Sequence, residues 1–298
     1  TVSLSTRSGS NQLHGSLFYA LRHEALSAND WFANRQGDTR AALRMHDFGQ
    51  TLGGPIRRDR SFFFLSYEGM RLRQPFAWRA PVPSLAARAA AAEWARPVLD
   101  LYPLPTGADF GNDLAEWSGR NRRPSRLDAA SLRLDHAWSG SVSSFARYHE
   151  APSWNEFGSS QINRLDLRSR SLTLGLNARP GAGAVLDTRI NGSSAYLSSH
   201  WRQAGQAGGC ALEAAIAHFL HSSDAGCGYL ARFAIAGVGD LVSGHEGRRR
   251  QRQFQAVQTA TLYHGPHTVR LGLDYRLLAP SRYDASGSLS IITDTVAD

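Results

Sequence analysis

Few residues in this chain stand close enough in sequence to act on one another chemically. Ser131, Asp135 and His136 supply the residue types of a nucleophile, an orienting acid and a base. A base and its orienter must hydrogen-bond each other, and neighbours on an extended strand point to opposite faces, so Asp135 cannot serve His136. No Gly-x-Ser-x-Gly elbow, His-Glu-x-x-His run or phosphate-binding Gly-Lys loop occurs. His218 and His221, at i and i+3 in a short helical stretch, could hold a metal with Glu213 or Asp224. That spacing is no specific zinc signature and equally suits exposed loop histidines. Cys210 and Cys227 form no Cys-x-x-Cys pair, which argues against thiol redox chemistry and structural zinc. The expectation is no catalytic constellation, no metal site, no cofactor and no enzyme.

The elements that carry these residues read as strands. Leu13, Leu17, Tyr19 and Leu21 oppose His14, Ser16 and Arg22. Ala130, Leu132, Leu134 and Trp138 oppose Ser131, Arg133 and Asp135. Leu172, Leu174, Leu176 and Ala178 alternate with Ser171, Thr173, Gly175 and Asn177. The clearest run is Thr268 to Leu277, where Val269, Leu271, Leu273 and Tyr275 oppose Arg270, Gly272, Asp274 and Arg276. A period of two with one greasy and one wet face is the mark of a half-buried strand. Further strands are expected over 46–53, 61–71, 142–149, 186–196 and 248–263, about nine from Leu13 onward.

The connections sort by length. Arg57-Arg58-Asp59-Arg60, Ser139-Gly140, Pro180-Gly181-Ala182-Gly183 and His264-Gly-Pro-His267 are tight turns. The others run over 24–43, 72–125, 152–163 and 201–247. In the second, Pro75, Pro81 and Pro83 argue against a central strand. Ser84 is placed to cap a helical run from Leu85 to Leu101 that Pro97 interrupts. Trp31-Phe32, in the first, reads as a loop core or an interfacial anchor. Antiparallel strands with every short turn at one end and every long loop at the other are expected of an outer-membrane barrel, and a soluble sandwich has no reason to segregate them.

Composition agrees. The 298 residues hold 28 Gly, 2 Met and 2 Cys, with a net charge of +8. No window has the ~18 uninterrupted apolar residues of a membrane helix, which says nothing against strands that need only ~9–11 residues with alternate ones apolar. The arginines are scattered, roughly one per strand, rather than gathered on a nucleic-acid-binding module. They could line a wet interior or meet anionic lipopolysaccharide at an outer rim.

Several segments, in order, also resemble a known family. Thr6-Arg-Ser-Gly-Ser-Asn11, His14-Gly-Ser16, Gly53-Gly-Pro-Ile56 and Phe62-Phe-Phe-Leu-Ser-Tyr-Glu-Gly69 look like the junction and first strands of TonB-dependent outer-membrane receptors of the Oar-like type. The resemblance is densest over the first quarter of the chain. Beyond it rest Arg133-Leu-Asp-His136, Phe145-Ala-Arg-Tyr148 and the strand around Arg270. It implies that residues 1–12 are the last strand of a plug domain and 13–298 the N-terminal part of the barrel. The chain would then be a fragment of a receptor that closes at about 22 strands. It further implies energised uptake or surface reception of an unidentified ligand, with the TonB complex acting through a plug outside this chain. A structural or adhesive barrel without transport, or a soluble β-sheet binding domain, are the other readings.

On a barrel the remaining residues acquire candidate roles. Leu17, Leu132, Leu174 and Leu271 would face lipid, and Arg133, Asp135, Arg270 and Asp274 the lumen. Phe62 and Phe64 would touch the plug or simply pack within the strand. Arg248, Arg249 and Arg250, where a loop enters a strand, would contact lipopolysaccharide phosphates or end as a solvated loop. In an exported loop Cys210 and Cys227 would pair as a disulfide, closing about 16 residues for roughly 3 kcal/mol.

Overall fold

The computed structural model describes residues 6–29, 31–35, 39–158, 160–203, 211–216, 229–284 and 287–296. Nine long strands form the wall. They are β1 (His14–His23), β2 (Arg44–Arg57), β3 (Ser61–Pro83), β5 (Leu114–Ala137), β6 (Val142–Gly158), β7 (Gln161–Gly181), β8 (Ala184–Gln203), β10 (Leu241–His264) and β11 (His267–Asp284). Each pairs antiparallel with the next, in sequence order. Three short strands, β4 (Asp109–Gly111), β9 (Leu230–Ile235) and β12 (Ser288–Thr293), belong to the connections, as do helices α1 (Trp31–Arg35), α2 (Leu85–Ala90), α3 (Arg96–Leu99) and α4 (Ala211–Ala215). The sheet is an open one, with β1 and β11 each paired on one side among the described residues.

The strands are longer than the alternation alone predicts, and two expected loops are corrected. Residues 72–83 and 114–125 continue β3 and β5 in an unbroken register down to Pro83↔Leu114. Prolines are tolerated there because β2 stops pairing at Arg44↔Arg73, leaving one side of β3 without a strand partner among the described residues beyond that point. The Ser84 N–H donates across to Asp113 O (2.8 Å), so even-numbered residues aim at β5. Pro75, Pro81 and Pro83 are all odd, and each turns its missing donor to the open side. The second correction is 152–163, where β6 and β7 run up to a tight turn instead of a loop. Pro152 is absorbed by a gap in the β5–β6 ladder between Ala130↔Glu150 and Leu127↔Ser153.

The segregation of connections survives in altered form. One end has only the short turns at 58–60, 138–141, 182–183 and 265–266. The other has the three excursions at 24–43, 84–113 and 204–240 beside the tight β6–β7 turn. The expected helical run is two pieces. Ser84 Oγ accepts the Ala87 N–H at 3.1 Å as the cap of α2, and Pro97 opens α3 rather than breaking a longer helix.

Among the described residues, every buried aliphatic or aromatic side chain lies at the loop end. Val98, Leu99 and Tyr102 from one excursion meet Leu212, Ile216, Phe233 and Ile235 from another, and Leu289 and Ile291 of β12 pack against them. The third strand of this cap closes by a parallel pairing of β12 with β9. Arg88 ties the cap together. Its guanidinium is 8% exposed and donates to the carbonyls of Pro83, Leu99, Tyr102 and Pro103. Burial pushes it below its ordinary value, opposed by the Asp100 carboxylate 3.8 Å away. Burial likewise pushes the Tyr102 hydroxyl up.

Candidate functional site: the polar face of the wall

The register decides which side chains share a face. One row across the sheet runs Phe64, Arg133, Arg147, Thr173, Asn191, Gln255, Arg276. The row beside it on the same face runs Phe62, Asp135, Phe145, Gly175, Arg189, Val257, Asp274. Between them, on the opposite face, lie Phe63, Leu134, Ala146, Leu174, Ile190, Ala256 and Tyr275. Arg133, Asp135, Arg270 and Asp274 thus occupy one face, and Leu17, Leu132, Leu174 and Leu271 the other. The apolar face is bare: Leu17 is 82% and Leu273 68% exposed.

The polar face is knitted by short polar contacts. Arg133 grips Asp135 with both its Nε (3.0 Å to Oδ2) and Nη2 (2.7 Å to Oδ1) and lies over the Phe145 ring at 4.2 Å. Gly175 makes room for that ring, since a Cβ there would fall 2.0 Å from Phe145 Cε1. Farther round, Gln255 donates to Asp274 at 2.9 Å, with Arg276 4.0 Å from the same carboxylate. Arg189 and Asp187 pair at 3.1 Å. The two pairs singled out in sequence are therefore brought to one face but have four strands between them, lying on β5 and β11.

The N-terminal residues dock on this same face. Arg133 Nη1 donates to the Thr6 hydroxyl and to the Thr6 carbonyl at 3.3 Å. Asn11 Nδ2 donates to Asp59 at 2.6 Å, and its Oδ1 accepts the Asp59 N–H at 2.8 Å, which fixes Asp59 at φ 59° in the β2–β3 turn. Between them, a Cβ on Gly9 would fall 2.3 Å from Phe63 O and 3.0 Å from Phe62 Cβ. Residues 6–12 form no strand with the wall.

Other expectations separate. Asp135 and His136 lie on opposite faces, where His136 Nδ1 meets Ser61 Oγ at 2.8 Å and Ser131 accepts from Arg147 at 3.2 Å. Arg248, Arg249 and Arg250 do not act as one patch: Arg248 and Arg250 are on the apolar face and Arg249 on the polar one. Trp31 belongs to α1 in the first excursion, with Arg35 5.4 Å from its ring. Cys210, Cys227, His218, His221 and Asp224 lie outside the described residues. Glu213, the other candidate ligand, is buried in α4 and hydrogen-bonded by Ser243.

A wall of antiparallel strands with a continuous bare apolar face needs lipid, not water, on that side. The sequence matches the outer membrane beta barrel domain family over residues 5–94 and 89–294. The chain belongs to that family. This outer membrane barrel domain resides in the bacterial outer membrane, and its short turns and long excursions are those of such a barrel. No curated protein matches its sequence. In fold it is similar to the outer membrane transporter YddB from Escherichia coli, with a TM-score of 0.53 and 10% identity over 95% of this chain and 33% of that one. Against the siderophore receptor PiuA from Acinetobacter baumannii the TM-score is 0.46, with 9% identity over 92% and 42%. The barrel domain described here thus spans between a third and a half of those chains. On its strand β11 the outward run from Val269 to Ala279 is ~35 Å long at ~3.4 Å per residue, or ~25 Å in height at a tilt of ~45°. That matches the apolar band such barrels present to lipid.

Proposed function

We propose that the chain is the first part of the wall of a TonB-dependent receptor, and that its N-terminal residues, to about Gln12, are the tail of a plug seated in the lumen. The polar face lines that lumen. The observation that carries the reading is the docking of Thr6, Gly9 and Asn11 on this face through Arg133, Phe62 and Asp59. A wall meant only to span the membrane has no use for an inward segment held at both ends of its reach. The transporter fold of YddB is consistent with uptake, and the cap of loops would meet the ligand first.

The test uses the complete receptor that contains this chain. Planar-bilayer conductance is measured before and after deletion of everything preceding residue 12, and binding to the purified carboxy-terminal domain of TonB is measured in parallel. A low conductance that rises several-fold on deletion, together with TonB binding by the intact receptor only, supports the proposal. Unchanged conductance and no TonB binding would leave a structural or adhesive barrel.

A further inference from the structure

The apolar face does not stay apolar up to the loops. Above the leucines it turns to arginine: on β7 the outward positions read Leu174, Leu172, Arg170, Arg168, and on β10 Phe254, Arg252, Arg250, Arg248. The register sets Arg168, Tyr196 and Arg250 in one row and Arg248 beside Tyr283 in the next. These residues line a cavity of about 760 Å³ on the lipid side of the wall.

Elsewhere in this belt the charge is mostly matched, although Arg73 has no acidic partner among the described residues. Arg71 and Arg126 share Asp128, each at 2.7 Å, Arg164 pairs with Asp166 at 3.2 Å, and Arg44 lies 3.7 Å from Glu24. Around the cavity it is not. A single carboxylate, Glu150, serves both Arg168 (2.6 Å) and Arg170 (3.0 Å). Asp284 at the rim is taken by Arg282. Among the described residues Arg248 and Arg252 have no acidic partner, and Arg250 donates to Ser194 Oγ at 3.4 Å without meeting a carboxylate. Like charges gathered on one face repel unless an anion bridges them, and guanidinium forks are suited to bridging phosphate oxygens two at a time.

We propose that this cavity binds the phosphorylated headgroup of an outer-leaflet glycolipid, lipopolysaccharide, with Arg248 and Arg250 as the main phosphate ligands and Arg168 and Arg170 completing the cradle. The commitment to a lipid rather than a soluble anion comes from what lies below. Leu172, Leu174, Phe254 and Leu277 continue downward on the same face, where acyl chains attached to the headgroup would lie. Arg249 faces the lumen and takes no part. The site is independent of whether the barrel transports.

The complete receptor, delipidated in a non-ionic detergent, is titrated with bis-phosphorylated lipid A, with the same lipid enzymatically dephosphorylated, and with inorganic phosphate. Native mass spectrometry counts the bound molecules. The expected result is saturable binding of the phosphorylated lipid, weakened at least tenfold in the double variant Arg248→Gln/Arg250→Gln and unchanged in Arg249→Gln. Glu150→Gln, which removes the competing carboxylate, should tighten it. Heat-modified gel mobility verifies that each variant is folded. Three outcomes overturn the proposal: equal binding of the dephosphorylated lipid, equal loss in Arg249→Gln, or inorganic phosphate displacing the lipid at comparable concentration.

Discussion

The wall and the cap of this molecule answer to different solvents. In the wall, Leu172, Leu174 and Leu176 are each more than two-fifths exposed, and among the described residues no buried aliphatic core stands behind them. In the cap, Val98, Leu212 and Ile216 are fully buried. The wall derives its order from ladder hydrogen bonds and from lipid, which is as apolar as leucine itself. The cap must exclude water by packing, as a small soluble domain does. One residue type therefore has two energetic meanings in a single chain.

The sharpest way to break this contrast is at Arg88. Arg88→Ala would remove a donor shared by four cap carbonyls, of which Leu99 O alone keeps another, the Tyr102 N–H, and cost the cap about 3–5 kcal/mol, since buried acceptors left unpaired are expensive. Hydrogen exchange in 84–113 and 211–241 should accelerate, while exchange in β5 to β8 stays unchanged. Equal acceleration in the wall would mean that the two regions are one cooperative unit. Next comes the same truncation in both regions. Leu212→Ala leaves a void in a dry core and should cost about 2–5 kcal/mol. Leu174→Ala, whose gap lipid can fill, should cost under about 1 kcal/mol by the same comparison. Urea titration in detergent micelles, read at the cap and at the wall, gives both numbers, and equal losses would refute the two-solvent account. The smallest effect is expected at Pro81. Its nitrogen faces the open side of β3, so Pro81→Ala should change stability by about 0.5 kcal/mol or less. A loss of several kcal/mol would show that the edge is covered.

The same contrast explains what could be read from sequence. The wall was legible where alternation is regular, as in 172–178 and 268–277, because a period of two requires no knowledge of partners. It was illegible where proline interrupts. Whether Pro75, Pro81 and Pro152 break a strand depends on which side has a neighbour, and that is a property of the sheet. Arg164, Asp166, Arg168 and Arg170 continue the outward phase of Leu172 and Leu174, a signal present in the sequence but hidden by the change from apolar to charged. The splitting of Arg248, Arg249 and Arg250 follows from the same alternation once the strand is known to begin at Leu241. On the polar face, Arg133 and Asp135 could be placed together two residues apart, but not Arg133's grip on Thr6, which lies 127 residues away. The cap was least legible, since its core joins apolar residues from three stretches with no shared period.

The parallel pairing of β12 with β9 sets an order of events. β9 ends at Ile235 and β12 begins at Ser288, with the whole β10–β11 hairpin between them. Parallel partners cannot be joined by a tight turn, and contacts so distant along the chain form slowly. The β9–β12 pairing at the loop end is therefore expected to form after that hairpin. Until then the unzipped edge of β9, which carries Phe233, is a segment open to capture by another chain.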